Sequence, residues 1–257
     1  MDQTVHEVRD GQQYVVGDVG EVLPAIEEEA HVIYLDDAWA RPQRGDWYGV
    51  EYETHGFAPN NVCEHDGITT ADIIDLCEGA LVDGGWLIAD ADDWLLPRLI
   101  DYIRENWGDV AASYKGGGYR RIGGVTFVSK SGEPDCSTPG MYFSNGGYPV
   151  VFAHKGETDR KTSVSARQIT PQASFDGDWG SVKPIEPYRN WIDGIMNEGE
   201  HLIVPCAGTA PAAIGAEELF GENVRYTCID NQPEALEMFK QRRAEANLPK
   251  KGVSSYD

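Results

Sequence analysis

The sequence lacks any apolar run approaching the eighteen or so residues that a membrane-spanning helix needs. Its first residues, Met1-Asp2-Gln3-Thr4-Val5-His6, have neither the basic nor the apolar region of a secretory leader, so a cytoplasmic protein is expected. Cysteine is sparse, with five residues at 63, 77, 136, 206 and 228, odd in number and without a C-x-x-C pair. That pattern excludes a disulfide frame and a zinc ribbon, and reads as reduced, mostly buried thiols. No G-x-S-x-G elbow, Walker loop or histidine pair at zinc spacing occurs. His31, His65, His154 and His201 stand singly and read as core or surface residues, so no metal is expected. The run Gly116-Gly117-Gly118 with Gly123-Gly124 opens no helix, which weighs against a phosphate loop.

Positive charge is also scarce. Lys+Arg number 21 against 43 Asp+Glu, a formal charge of −22. Such a chain either avoids polyanions or works in strong salt, where the Debye length falls to about 3 Å at 1 M and repulsion is screened. Thirteen arginines against eight lysines, with acids spread along the chain, fit a halophilic protein. One stretch departs from this. Residues 111–170 hold eight basic residues and four acids, an excess of +4, so the remainder carries −26. Salt adaptation alone does not explain a basic island. Interleaved Tyr114, Tyr119, Tyr142, Phe143 and Tyr148 could stack on bases, while Lys and Arg meet phosphates, which suggests a nucleic-acid contact region. The same tyrosines are equally compatible with the core of a loop-rich β-insertion.

What is present alternates as an α/β protein does. A strand over 14–16 ends at Gly17-Asp18, a helix spans 22–29, and an apolar strand over 31–35 ends in Asp36-Asp37-Ala38-Trp39. Residues 41–66 read as a long loop. A capped helix runs from Thr69-Thr70 to Leu81, closed by Gly84-Gly85, and a buried strand follows over 86–89. Further helices are expected over 94–106, 186–196 and 232–247, and antiparallel strands over 110–114, 124–129 and 148–154. Near the end, Glu200 to Val204 form an apolar strand running into the small-residue turn Pro205-Cys206-Ala207-Gly208-Thr209-Ala210, and Pro211 opens a helix. A second apolar run then ends on Asp230. Strand, tight turn, helix and acid-tipped strand make one half of a nucleotide-binding sheet, in which the turn brings backbone N–H groups to a ligand and the acid can hold ribose hydroxyls.

The order of these parts resembles the beta group of DNA amino-methyltransferases, which transfer methyl from S-adenosylmethionine to adenine N6 or cytosine N4. In that family a catalytic Asp-Pro-Pro-Tyr or Ser-Pro-Pro-Tyr follows an early strand, matched here by Asp36-Asp37-Ala38-Trp39. A helix, Gly-rich turn and strand follow, matched by Leu81 to Ile88. A variable insert closes with a strand and Lys-Gly, as in Tyr148 to Gly156. Lys-Pro then opens a helix, here Lys183-Pro184, and the Asp-Pro-Phe-x-Gly-x-Gly cofactor loop is matched by Val204 to Ala210. The similarity runs in register from about Asp18 to Arg243.

The resemblance implies a Rossmann-like methyltransferase sheet with helices on both faces, a permuted order with the catalytic motif before the cofactor loop, and a β-rich target-recognition insert. It divides the chain into a catalytic half (1–110), the insert (111–181), a cofactor-binding half (182–247) and a tail (248–257). Asp36, the Asp37 carbonyl and Trp39 would act on the target base. Asp18, Lys183, Pro205, Cys206, Ala207, Gly208, Thr209 and Asp230 would hold S-adenosylmethionine, with Lys183 reaching its carboxylate or merely capping a loop. Lys115, Tyr119, Arg120, Arg121, Lys155, Arg160, Lys161 and Arg167 would contact double-stranded DNA. The implied function is transfer to an exocyclic amine, adenine N6 before cytosine N4. A homodimer and a cognate restriction nuclease stay open, as do a silent DNA-binding relative and an RNA or small-molecule methyltransferase. Three departures bear on activity. The prolines of the catalytic motif are missing, Val204 replaces the usual acid, and Ala210 replaces the second glycine, which is costly if its φ is positive.

Overall fold

A computed structural model describes residues 3–36, 70–91, 95–109, 116–134, 146–173, 182–246 and 248. Nine strands form a single sheet in the order β1-β2-β9-β8-β3-β4-β6-β5-β7. In chain order they are β1 (Thr4–Arg9), β2 (Gln12–Val16), β3 (Ala30–Leu35), β4 (Leu81–Asp90), β5 (Gly118–Val128), β6 (Gly147–His154), β7 (Arg167–Pro171), β8 (His201–Pro205) and β9 (Arg225–Asp230). The helices are α1 (Val19–Val22), α2 (Thr70–Ala80), α3 (Leu95–Asn106), α4 (Ile185–Ile195), α5 (Pro211–Phe220) and α6 (Pro233–Glu245).

Strands β2, β9, β8, β3 and β4 are mutually parallel, so all five end at one edge of the sheet. β6 returns antiparallel beside β4, β5 runs back beside β6, and β7 lies parallel to β5 at the border. The described strands of 111–181 therefore continue the same sheet.

Alternation along the strands sends side chains to two cores. Val32, Tyr34, Leu202, Val204 and Ile88 face one side, under α4, α5 and α6. Ile33, Leu35, Ile203, Leu87 and Ala89 face the other, under α1, α2 and α3. On α3 the spacing of Leu95, Leu99 and Ile103 builds one buried stripe, each side chain contributing about 1.5–3 kcal/mol on burial. The result is a three-layer α/β/α sandwich. Among the described residues, no helix is long and apolar enough to cross a membrane.

Several elements differ from the sequence expectation. The helix expected over 22–29 is the short α1 followed by a 3-10 turn, Leu23–Ala25. Pro24 has no N–H to donate and its ring would meet the carbonyl of Gly20, so α1 cannot continue through it. β1 forms a hairpin with β2 across Asp10-Gly11, where Gly11 takes φ +73°. β4 starts directly after α2, at Leu81, and runs through Gly84-Gly85 instead of waiting for Trp86. β5 begins six residues earlier than expected, and the strand expected over 110–114 lies outside the described residues. At its start Gly118 (φ +104°) lies so close to Gly108 that a Cβ would sit 1.9 Å from the Gly108 carbonyl oxygen. The glycine run thus serves close backbone packing.

Candidate functional site

The site grows from the parting of two chain paths. From β3 the chain passes through α2 to β4 on one side; from β8 it passes through α5 to β9 on the other. β3 and β8 are neighbours, pairing Val32 with Leu202 and Ile33 with Ile203. That register carries Leu35 level with Pro205, so Asp36 and the turn 206–210 leave adjacent strand ends about 5 Å apart. Ligands of open α/β sheets occupy this kind of switch point.

The turn after β8 is tightly wound and braced from two strands, β9 and β2. Cys206, Gly208 and Ala210 adopt φ of 54°, 50° and 48°, the first and last without being glycine. The Ala207 N–H donates to the Ile229 carbonyl (2.8 Å), and the Ala210 N–H to the Ala207 carbonyl (2.7 Å). From β2, the Tyr14 hydroxyl donates to the Gly208 carbonyl (2.8 Å). The Asp230 carboxylate accepts from the Gly208 N–H (2.8 Å) and the Gln232 N–H (2.9 Å). Burial raises the Asp230 pKa, these N–H donors pull it back, and the nearby Asp36 charge adds to the rise. Asp18 lies next to the same tip, since the Gly17 N–H donates to the Asp230 carbonyl (2.9 Å). Its carboxylate caps α1 by accepting from the Gly20 N–H (2.6 Å).

Beside this turn lies a cluster of two acids and a lysine. Lys183 Nζ, on the segment leading into α4, donates to Asp36 Oδ1 and to Asp90 Oδ2, the latter at 2.7 Å. Asp90 ends β4 and is wholly buried. The hydroxyls of Tyr34 and of Tyr188 (2.7 Å) donate to the same Oδ2. Asp90 Oδ1 has no hydrogen-bond partner among the described residues. The Tyr148 hydroxyl pairs with that of Tyr188 at 2.5 Å, and Lys183 Nζ stands 5.0 Å from the centre of the Tyr148 ring. Burial raises the pKa of Tyr34, Tyr148 and Tyr188 well above the phenolic range, so all three are neutral donors. Burial also raises Asp90, against the pull of Lys183. For Lys183 burial works downward, but Asp36 and Asp90 overcome it and hold the amine as ammonium. From α6, the buried Arg242 donates through Nη1 to Thr209 Oγ1 (2.7 Å) and through Nη2 to the Lys183 carbonyl, tying the turn to the cluster.

Of the residues singled out in the sequence, Asp36, Asp18, Lys183, Pro205, Cys206, Ala207, Gly208, Thr209 and Asp230 converge on this edge. Asp37, Trp39 and Lys115 lie outside the described residues. The basic island does not converge. Lys155 sits at the amino end of β4, where its Nζ donates to the Leu81 carbonyl (2.7 Å) and its main chain pairs with Gly84 and Gly85. Six residues of strand separate Gly84 from Asp90, about 20 Å. Arg160 forms a two-pronged pair with Glu200 (2.7 and 2.6 Å), which precedes β8, and also donates to the Ile195 carbonyl. Lys155, Arg160 and the adjoining Lys161, read from the sequence as contacts to double-stranded DNA, therefore lie at the opposite edge of the sheet from Asp36 and the 206–210 turn. The cause is the reversed direction of β6, which carries its C-terminal end away from the site. Tyr119, Arg120 and Arg121 lie along the first half of β5, and Tyr119 packs against the α3 core. Arg167 pairs with Gly124 and so reaches the level of the carboxyl edge, exposed on the border strand.

Sequence reading misses Asp90, Tyr34, Tyr188 and Arg242 as site residues. Asp90 carries the signal that marks Asp36 and Asp230, an acid ending an apolar strand. Tyr188 and Arg242 carry none, because each is one aromatic or basic residue on an ordinary helix. Among the described residues no group of three or more His, Cys, Asp or Glu could hold a metal ion.

No protein-family model matches this sequence, and comparison with curated proteins finds no match. Solved structures do match. The M1.HpyAVI–SAM complex superimposes with a TM-score of 0.64 at 11% identity, over 90% of this chain and 98% of that one. PvuII DNA methyltransferase (cytosine-N4-specific) gives 0.61 at 13% identity, over 94% and 88%. TTHA0409 from Thermus thermophilus, complexed with S-adenosyl-L-methionine, gives 0.54 at 17% identity, over 90% and 94%. At such identities the likeness speaks to architecture: the chain has the fold of S-adenosylmethionine-dependent methyltransferases.

Proposed function

We propose that this chain is an S-adenosylmethionine-dependent DNA methyltransferase acting on an exocyclic base amine, adenine N6 in preference to cytosine N4. The observation that carries the reading is the adjacency of Asp36 and the 206–210 turn on paired parallel strands. It puts an acceptor for an amine beside a turn suited to a nucleoside. Structural neighbours that are DNA methyltransferases, or that bind S-adenosylmethionine, support it. The preference for adenine rests on Asp36 heading the motif, as it more often does in the adenine enzymes of the family it resembles.

The residues present fit the cofactor. The turn closes on itself at φ near 50° three times, and Asp230 stays partly exposed, each oxygen holding one N–H and keeping a lone pair for a ribose hydroxyl. The N-terminus of α5 behind the turn favours a carboxylate. When bound, S-adenosylmethionine supplies an electrophilic methyl group on sulfur. The protein's part is to prepare the nucleophile. A base amine is poor because its lone pair is delocalised into the ring. Asp36 and the Asp37 carbonyl each accept one N–H, which favours a pyramidal nitrogen with its lone pair free to attack. Trp39 offers a face on which a flipped base stacks. The surplus proton on the methylated nitrogen then leaves along the Asp36 hydrogen bond to solvent. On the DNA side, Arg167 is at the right level of the sheet to meet a phosphate.

Tritium transfer from labelled cofactor to unmethylated DNA in molar salt tests this, with mass spectrometry of the digested DNA to identify the base. Asp36→Ala should cut transfer by about 10²-fold or more. Transfer that survives in Asp36→Ala removes Asp36 as the acceptor. Preference for RNA moves the substrate class, and cofactor binding without transfer by the wild type makes the chain a silent relative.

A further inference from the structure

The Lys183 ammonium lies between two carboxylates that come from different strands, and it has no position of its own in the transfer chemistry. We propose that Lys183, anchored by Asp90, is a positioning residue that orients the Asp36 carboxylate toward the target amine. It is not, on this view, a ligand of the cofactor carboxylate. The proposal rests on the reading above for its catalytic consequence, while the charge bridge itself stands on geometry alone.

Three features carry it. First, Nζ already has two carboxylate partners, Asp36 Oδ1 and Asp90 Oδ2, so two of its three protons are committed. Second, Asp90 is a built anchor. It is buried, it takes the hydroxyls of Tyr34 and Tyr188 on the oxygen that meets Lys183, and its other oxygen is unpartnered among the described residues. A buried carboxylate in that state depends on its cation, because losing one partner of a buried pair leaves an uncompensated charge. Third, the Lys183 main chain is fixed by Arg242 of α6, which also holds Thr209 of the turn. Turn and acceptor are therefore joined by one chain of contacts, Thr209 to Arg242 to Lys183 to Asp36.

The charged and titratable groups facing Lys183 are Asp36 after β3, Asp90 on β4, Tyr34 on β3, Tyr148 on β6, Tyr188 on α4 and Arg242 on α6, with Asp230 on β9 near Asp36. Without the lysine, the partly exposed Asp36 carboxylate faces the wholly buried Asp90 carboxylate with no cation between them. Asp36 would then turn away from Asp90, which spoils it as an oriented acceptor. A shift of about 1 Å in a reacting group is enough to cost about 10²-fold in rate.

Two measurements on the full chain test this. The first needs no activity: thermal melting of the wild type, Lys183→Met and Lys183→Met/Asp90→Asn between about pH 4 and about pH 8. The single variant should lose more at the upper pH, where both carboxylates are charged, and the double variant should recover that loss. A deficit equal at every pH overturns the bridge, because lost packing alone has no pH dependence. The second is steady-state transfer with a separate cofactor-binding titration. Lys183→Met should lower kcat by about 10²-fold and leave cofactor affinity unchanged, with Lys183→Arg restoring part of the rate. Weakened cofactor binding with kcat intact overturns the proposal and returns Lys183 to the cofactor. A wild type that transfers no methyl to DNA sinks the reading of function and the positioning role with it, a result distinct from a flat melting deficit.

Discussion

Two residues in the turn after β8, Cys206 and Ala210, hold left-handed backbone without being glycine. For an L-residue this conformation costs about 1–2 kcal/mol, because Cβ crowds the following carbonyl. Ala210 is also the N-cap of α5, so its strain is stored where the turn hands over to the helix. Ala210→Gly should therefore raise stability by about 1 kcal/mol, the relief exceeding the extra freedom glycine gives the unfolded chain. Chemical denaturation reads this directly, and a loss of stability would show that the alanine methyl, wholly buried, packs for more than its backbone costs. At this scale the sequence is legible wherever an acid ends an apolar strand, as at Asp36 and Asp230. Asp90 obeys the same rule, but its partners come from β3, α4 and the segment before α4, and no local pattern announces a contact made across 93 residues, as between Lys183 and Asp90.

The elements explain why a charge pattern in sequence need not be a charge patch in space. Residues 147–154 run back down the sheet, so the basic residues that follow arrive at its amino edge, where Arg160 meets Glu200. Burial alone would raise Glu200, but the Arg160 and Asn197 donors overcome it and hold its pKa at about 2. A folded-state pKa below the unfolded value means that the pair stabilises fully above the ordinary carboxylate range of 4.5, and that this contribution is lost as pH falls towards about 2. Arg160→Met should remove about 1–3 kcal/mol near neutrality. It should also flatten the fall in stability through that acid window while leaving the salt dependence of DNA binding unchanged. A weaker salt slope in this variant would return Arg160 to the DNA face. Apolar period identifies β3, β8, β9, α2 and α3 from sequence alone. It is silent on β1 and β7, which lie at the two borders with Val5 and Ile169 turned outward, so no continuous apolar stripe marks them.

The whole molecule carries −22 with few cations to offset it. If the acids are an adaptation to salt, raising KCl from about 0.1 M to about 1 M, as the Debye length falls from about 10 Å to about 3 Å, should relieve self-repulsion. The melting temperature should then rise by about 5 °C or more. A flat response would separate the acidity from salt tolerance. At this scale the order of parts is legible, because β8, the turn after it, α5 and β9 follow one another compactly in sequence. What that order does not reveal is closure. Gln12 pairs with Tyr226, and the Gln12 side chain donates to the carbonyls of Gly221 and Val224 at 2.9 and 3.0 Å. β8 and β9 then fill the gap between β2 and β3. During synthesis the early strands leave the ribosome with their inner flanks bare, and they wait until residues 201–230 are translated before the vacancy is filled. Nascent chains stalled before residue 225 would consequently be sticky and chaperone-dependent, whereas emergence of β9 behind β8 should trigger a single late, cooperative lock.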